Sequence, residues 1–90
     1  MERIHLIISG DVQGVGFRFT AIEVARDLGL TGWVRNNPDG TVEMIAEGEK
    51  EKLENLLTWA KKGPMLARAA EVKVEWGKAT GEFSGFEARY

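Results

Sequence analysis

The stretch from Gly10 to Arg18 places glycines and an arginine where a strand pattern passes into a helix pattern. Gly10, Gly14 and Gly16 let the backbone curl tightly and let a ligand approach it closely. The first turn of a helix presents unpaired N–H groups and a partial positive charge. Arg18 lies in that turn, where a fixed cation opposes the helix dipole unless an anion lies between them. We name residues 10–18 the anion loop, because this pattern indicates a small site for phosphate.

Two nucleotide-binding glycine motifs do not fit these residues. Phe19 stands where the dinucleotide-binding pattern needs its third glycine, and a P-loop would need a Gly-Lys-Ser/Thr run that the stretch lacks. Composition alone leaves a second interpretation open, in which the glycines only form a tight turn between strand and helix.

Length, charge and the absence of cysteine limit what the chain can be. Its 90 residues predict a single domain over residues 1–90, because a chain of this size buries only roughly 60–65% of its unfolded surface. A net charge of −2 argues against nucleic acid as a partner, since that binding depends on many Lys and Arg contacts to phosphate. No cysteine, membrane-length apolar run or signal-peptide pattern is present. A cytoplasmic location fits these absences, and without cysteine there is no disulfide and no Cys-type metal site. We take a monomer with no metal and no cofactor as the default expectation.

Hydrophobic periodicity predicts the elements that must position the anion loop. Period-two alternation predicts a strand over residues 3–9, and a helical pattern over about 16–28 ends at Gly29. Asn37 to Gly40 form a turn, because Pro38 presets its φ and glycine allows a positive one. The remaining elements are strands over 31–36, about 41–47, about 70–77 (with Trp76 facing inward) and 86–90, and a helix over about 49–62.

This order, βαββαβ with a short C-terminal strand, predicts the fold. One sheet with two helices on one face accounts for all the apolar stripes. We expect an α+β protein, a ferredoxin-like α/β sandwich with two helices on one face of a five-stranded mixed, mainly antiparallel sheet.

Asn36 is the side chain that this topology brings towards the anion loop. A right-handed crossover makes the first two strands parallel, so both end at the same sheet edge. With the third strand between them they lie roughly 9–10 Å apart. The anion loop begins where one strand ends and Asn36 lies where the other ends. Residue type alone favours a turn role for Asn36, as it does for Asn37.

Two signatures make the sequence resemble the acylphosphatase family. The anion loop matches the family's G-x-V-Q-G-V-x-F-R at every specified position, and Gly32-Trp33-Val34-Arg35-Asn36 matches a second signature together with Gly40, Val42 and Gly48. The resemblance implies a metal-free hydrolase of carboxyl–phosphate anhydrides. It places the catalytic arginine at Arg18, the catalytic asparagine at Asn36, and the phosphate-binding amides at Gln13, Gly14, Val15, Gly16, Phe17 and Arg18.

The residues of this site suit an acyl phosphate as substrate and inorganic phosphate as product and inhibitor. An alkyl phosphate needs an acid to protonate its alkoxide leaving group, whereas an acyl phosphate expels a carboxylate whose conjugate acid has a pKa of about 4. Arg18 can hold two phosphoryl oxygens in its planar fork. Asn36 would orient the attacking water, since a carboxamide cannot accept its proton.

Two classes of non-enzyme share this fold. RNA-binding modules of the same element order carry stacking aromatics on the third strand, where this chain has Thr-Val-Glu-Met-Ile. The stronger alternative is a non-catalytic phosphate-sensing or accessory domain that uses the same loop, because fold does not imply function.

Overall fold

The structure is a computed structural model that describes residues 1–13, 16–62 and 68–89. The elements are β1 (Glu2–Asp11), α1 (Phe17–Asp27), β2 (Thr31–Asn36), β3 (Val42–Gly48), α2 (Lys50–Lys62), β4 (Arg68–Lys78) and β5 (Phe86–Ala88). The predicted order of strands and helices is confirmed, and each boundary falls within two residues of its prediction.

The strands form one sheet in the order β4-β1-β3-β2-β5. Strand β3 is antiparallel to both β1 and β2, so β1 and β2 run parallel, as the crossover rule predicts. Strand β5 pairs in parallel with β2 and closes the far edge. The predicted ferredoxin-like sandwich with a mixed, mainly antiparallel sheet is confirmed.

The core lies between one face of the sheet and the two helices. Alternate residues of β1 and β3 are fully buried, and the helices bury residues at helical spacing, as the periodicity predicts. The buried side chains are Ile4, Leu6, Ile8, Val34, Val42, Met44, Ala46 and Phe86 from the sheet, Phe17, Ala21, Ala25, Leu53, Leu56 and Ala60 from the helices, and Val12 and Leu30 from the connections.

Helix α1 is anchored to α2 at the end that begins the candidate site. The rings of Phe17 and Trp59 pack with centroids 5.0 Å apart and planes tilted by 40°. Aromatic pairs in this arrangement add about 0.5–1.5 kcal/mol beyond their buried area. The first residue of α1 is therefore held in the core rather than at the surface.

Trp76 faces the helices as predicted but is only partly covered by them. It lies opposite Ile4 in the register of β4 with β1, so it is on the helix-covered face as expected, yet 40% of its surface is exposed. Strand β4 is at the edge of the sheet. A side chain at an edge has a neighbouring strand on one side only, so the correct face did not bring full burial.

Candidate functional site

The start of α1 has the backbone geometry that the glycines predict. Gly16 is the N-cap residue in the left-handed region, with φ 78°, a conformation that favours glycine. Thr20 closes the first turn by donating its N–H to the carbonyl of Gly16 at 3.0 Å. Within the described residues no side chain caps this end, and no acidic residue lies in the first turn. The start of a helix also carries a partial positive charge that favours an anion.

A cavity of about 280 Å³ opens at this end of α1. Its walls come from the end of β1, the start of α1 and the end of β2: Val12, Gly16, Phe17, Arg18, Phe19 and Asn36. Arg18 and Asn36 are 18 positions apart in the sequence. They line one cavity because β1 and β2 end at the same edge of the sheet.

Asn36 occupies the last position of β2 and is exposed. It pairs with Val42 and shares a pleat face with Val34, both of which are fully buried on the helix side of the sheet. The side chain therefore leaves the sheet on the same side as α1, just beyond the core.

The structure describes four of the six residues predicted to bind phosphate through their backbone, namely Gln13, Gly16, Phe17 and Arg18. Gly16, Phe17 and Arg18 line the cavity, and Phe17 is also part of the core. Gln13, also in the anion loop, is half-buried. Gly14 and Val15 lie outside the described residues.

The side chain of Gln13 connects the anion loop to the turn that follows Asn36. Its amide nitrogen donates to the carbonyl oxygens of Asn37 at 2.9 Å and of Thr41 at 2.8 Å. A carboxamide NH₂ has two donors, so both are used in this contact. Asn37 and Thr41 are 24 and 28 residues from Gln13 in the sequence. The two hydrogen bonds therefore join the backbone segments that carry Arg18 and Asn36.

The turn itself is held by its own hydrogen bonds. The N–H of Asn37 donates to the carbonyl of Thr41 at 2.8 Å, and the N–H of Gly40 donates to the carbonyl of Asn37 at 3.1 Å. Asp39 accepts from the hydroxyl of Thr41 at 2.7 Å and from its N–H at 3.0 Å. The Thr41 hydroxyl and N–H therefore lower the pKa of Asp39. The residue after Asn36 thus belongs to a compact hydrogen-bonded unit.

The other face of β2 is held by charged groups. Arg35 donates to one oxygen of Glu43 at 2.8 and 3.1 Å, and the ring of His5 lies 2.6 Å from the other. Trp33 is buried on this face between arginines: the Arg35 and Arg89 guanidinium carbons lie 5.1 and 4.8 Å from its ring centroid. Cation–π contacts of this kind stabilise by about 0.5–1 kcal/mol or more. Strand β2 is therefore restrained on both faces up to Asn36.

Comparison with known proteins assigns nearly the whole chain to one family. The acylphosphatase family model matches residues 4–88. A protein of Anaeromyxobacter sp. named acylphosphatase is 49% identical over 90 residues, which cover 100% of this chain and 97% of that protein. The chain belongs to the acylphosphatase family. Acylphosphatases hydrolyse acyl phosphates to a carboxylate and inorganic phosphate, so this chain is a hydrolase of that class.

The solved structures that share this fold include an acylphosphatase and a much longer protein. The crystal structure of acylphosphatase from Bacillus subtilis superposes with a TM-score of 0.96 at 32% identity and covers 100% of both chains. A full-length HypF in its phosphate- and nucleotide-bound form matches with a TM-score of 0.87 at 30% identity, covering 100% of this chain but 12% of that one. The acylphosphatase fold therefore occurs both at this length and within a much longer protein.

A larger cavity lies away from Arg18 and Asn36. It has a volume of about 580 Å³ and lies at the opposite ends of α1 and β2, where Arg26, Thr31 and Arg89 are among its walls. Its walls contain neither of the two side chains that the family resemblance singles out. In the described part of the chain, no three His, Asp or Glu side chains are grouped so that they could hold a metal ion.

Three features of the site were not predicted from the sequence. Val12 and Phe19 line the cavity, and the Gln13 side chain binds the turn after Asn36. Val12 and Gln13 are specified positions of the first signature, which marks them as important without giving their contacts. Phe19 lies outside the signature, and its place in the first helical turn is the signal that could have revealed it.

Proposed function

We propose that the acyl phosphate is hydrolysed in the 280 Å³ cavity between α1 and β2. Arg18 and the backbone N–H groups of Gln13 to Arg18 hold the phosphoryl group, and Asn36 orients the attacking water. The observation that carries this proposal is that Arg18, Asn36 and the uncapped start of α1 form one cavity.

The binding part of the proposal rests on charge and donor geometry. A planar guanidinium can donate to two phosphoryl oxygens at once. The N–H groups at the start of α1 add donors and a partial positive charge that need no rearrangement during the reaction. A helix terminus alone contributes about 0.3–1 kcal/mol, whereas one preorganised donor in a transition state can contribute about 2.7–4 kcal/mol. Arg18 is therefore assigned the larger share.

The chemical step is an in-line displacement at phosphorus. The water oxygen forms a bond to phosphorus while the bond from phosphorus to the acyl oxygen breaks, and the electron pair leaves with the carboxylate. The carboxylate is a good leaving group and needs no general acid. The carboxamide of Asn36 can accept one hydrogen bond from the water and so aim it, and a phosphoryl oxygen receives the proton.

The wider assignments are consistent with this chemistry. We infer a small-molecule acyl phosphate as substrate, inorganic phosphate as a competitive inhibitor, and no nucleic-acid partner. We also infer a cytoplasmic monomer that forms a single domain over residues 1–90. Neither of the helices in the described segments is long and apolar enough to cross a membrane.

Steady-state hydrolysis of benzoyl phosphate by four variants tests the proposal. We expect Arg18→Ala and Arg18→Lys to raise KM and lower kcat, because the bidentate contact acts on both substrate and transition state. We expect Asn36→Ala to lower kcat by about 100-fold or more with a small change in KM. Asn55→Ala, an exposed asparagine on α2, is the matched control and should retain wild-type kcat.

Two results would contradict the proposal in different ways. A folded Asn36→Ala protein with wild-type kcat would remove Asn36 from the mechanism. A wild-type protein that binds inorganic phosphate, measured by calorimetry, but does not hydrolyse benzoyl phosphate would support the phosphate-sensing alternative.

A further inference from the structure

Phe19 is a large apolar side chain that the core does not use. It is 72% exposed, although it lies between Phe17, which is buried in the core, and the fully buried Ala21. A single exposed apolar residue is common on protein surfaces and has no meaning alone. Phe19 differs because it is also part of the wall of the cavity that Arg18 and Asn36 line.

The helix directs this ring towards the mouth of the cavity. Phe19 is the third residue of α1, and long side chains of a helix lean towards its N-terminus. The cavity is at that N-terminus. The ring therefore stands at the rim, while Val12 and Phe17, each 1% exposed, form the apolar wall beneath it.

The phosphoryl group and the acyl group of an acyl phosphate need different binding environments. Its phosphoryl group needs the guanidinium and the N–H donors of the proposed site, and its attacking water lies on the side opposite the leaving carboxylate. An acetyl or benzoyl group carries no charge that these donors could bind. It is left with the apolar part of the wall, where Phe19 and Val12 lie.

We propose that Phe19, together with Val12, forms the binding subsite for the acyl group, and that the enzyme therefore prefers acyl phosphates with an aromatic or bulky apolar substituent over acetyl phosphate. This inference rests on the proposed position of the phosphoryl group. An aromatic acyl group packs against the Phe19 ring, whereas an acetyl group is too small to cover it. Offset or edge-to-face aromatic pairs are worth about 0.5–1.5 kcal/mol, which corresponds to a factor of about 2–12 in kcat/KM.

The test compares two substrates in the same variants. The ratio of kcat/KM for benzoyl phosphate to that for acetyl phosphate should fall by about 3- to 10-fold in Phe19→Ala, and Phe19→Tyr should retain it. The inhibition constant of inorganic phosphate, which has no acyl group, should change by less than about twofold. Trp76→Ala removes another exposed aromatic, far along the chain on β4, and should leave the ratio unchanged.

Three outcomes would overturn the inference. An unchanged substrate ratio in folded Phe19→Ala would show that the ring does not contact the acyl group. Equal losses for both substrates and for phosphate binding would show that Phe19 acts on the anion loop instead. If Arg18→Ala and Asn36→Ala kept wild-type kinetics, the proposed function and this inference would fail together. Loss of activity in Arg18→Ala with an unchanged ratio in Phe19→Ala would reject the subsite alone.

Discussion

Gly32 lies so close to the backbone of a neighbouring strand that a side chain would not fit there. It lies in the interior of β2, pairs with Ala46 on one side and Phe86 on the other, and has φ +140°. A Cβ atom at this position would lie 1.9 Å from the carbonyl oxygen of Ile45. Because that oxygen belongs to the backbone of the neighbouring strand, it has little freedom to move away. The second signature therefore contains a glycine that the sheet needs, in the same strand that ends at Asn36.

We expect Gly32→Ala to lower the free energy of unfolding by about 3 kcal/mol, from backbone strain and the clash with Ile45. Urea unfolding followed by tryptophan fluorescence measures the change as a shift in midpoint. Gly77→Ala is the matched control in a strand, because a Cβ there meets nothing within 4 Å, and it should change stability by less than about 1 kcal/mol. Equal effects of the two substitutions would contradict this explanation.

At the scale of elements, the site depends on how the β1–α1 loop and the β2–β3 turn are joined. The two hydrogen bonds from Gln13 to the carbonyls of Asn37 and Thr41 make this connection. Asn36 precedes the turn and Arg18 follows the loop, so the connection sets the spacing between the two candidate catalytic residues.

We expect Gln13→Ala to lower the free energy of unfolding by about 1–3 kcal/mol, since it leaves half-buried backbone carbonyls with fewer donors. Gln13→Glu keeps the shape of the side chain but replaces the donor with an acceptor that faces two carbonyl oxygens. It should destabilise the protein at least as much at pH 7. Chemical denaturation of the three proteins measures both effects. Wild-type stability of Gln13→Glu would show that these hydrogen bonds do not contribute.

At the scale of the whole molecule, carboxylates on the uncovered sheet face connect distant parts of the chain. Glu47 in β3 is 3% exposed and accepts from Arg3 at 2.7 Å and from the N–H groups of Thr80 and Gly81 at 2.9 and 3.0 Å. Burial acts to raise the pKa of Glu47, but these donors outweigh it and the pKa lies below its ordinary value. At Glu43, burial likewise acts to raise the pKa, but the hydrogen bonds with His5 and Arg35 outweigh it, so this pKa is also lowered.

These lowered pKa values determine the direction of the pH dependence. The unfolded chain binds protons at an ordinary glutamate pKa of about 4.3, whereas folded Glu47 and Glu43 bind them only at lower pH. Their stabilising contribution is therefore complete above the unfolded pKa and is lost as the pH falls through the folded values. We expect the urea midpoint to decrease below about pH 4.3. Glu47→Gln should be less stable at pH 7 and should show a shallower acid decrease, and an unchanged acid slope would contradict the assignment.

Much of the fold could be predicted from hydrophobic periodicity, because a strand or helix that buries one face needs apolar residues at regular spacing. Ile4, Leu6 and Ile8 alternate with polar residues, and a half-buried strand demands that alternation. The site was readable in part, because Arg18 and Asn36 belong to recognisable signatures and the crossover rule places their elements together. Trp76 shows the limit of this reasoning: its face was predicted correctly, but its exposure depends on its place at the edge of the sheet.

The order of residues was enough to predict the seven elements and the sandwich, because these follow from local spacing and from the handedness of one connection. The family and the two residues proposed for catalysis came instead from the match to the two signatures. The three-dimensional arrangement was needed for contacts between segments remote in the chain. The Gln13 amide on the turn, the Ile45 carbonyl against Gly32 and the Phe19 ring at the cavity mouth are of this kind. Distances across neighbouring strands and helices are results of packing, and no periodicity within one segment encodes them.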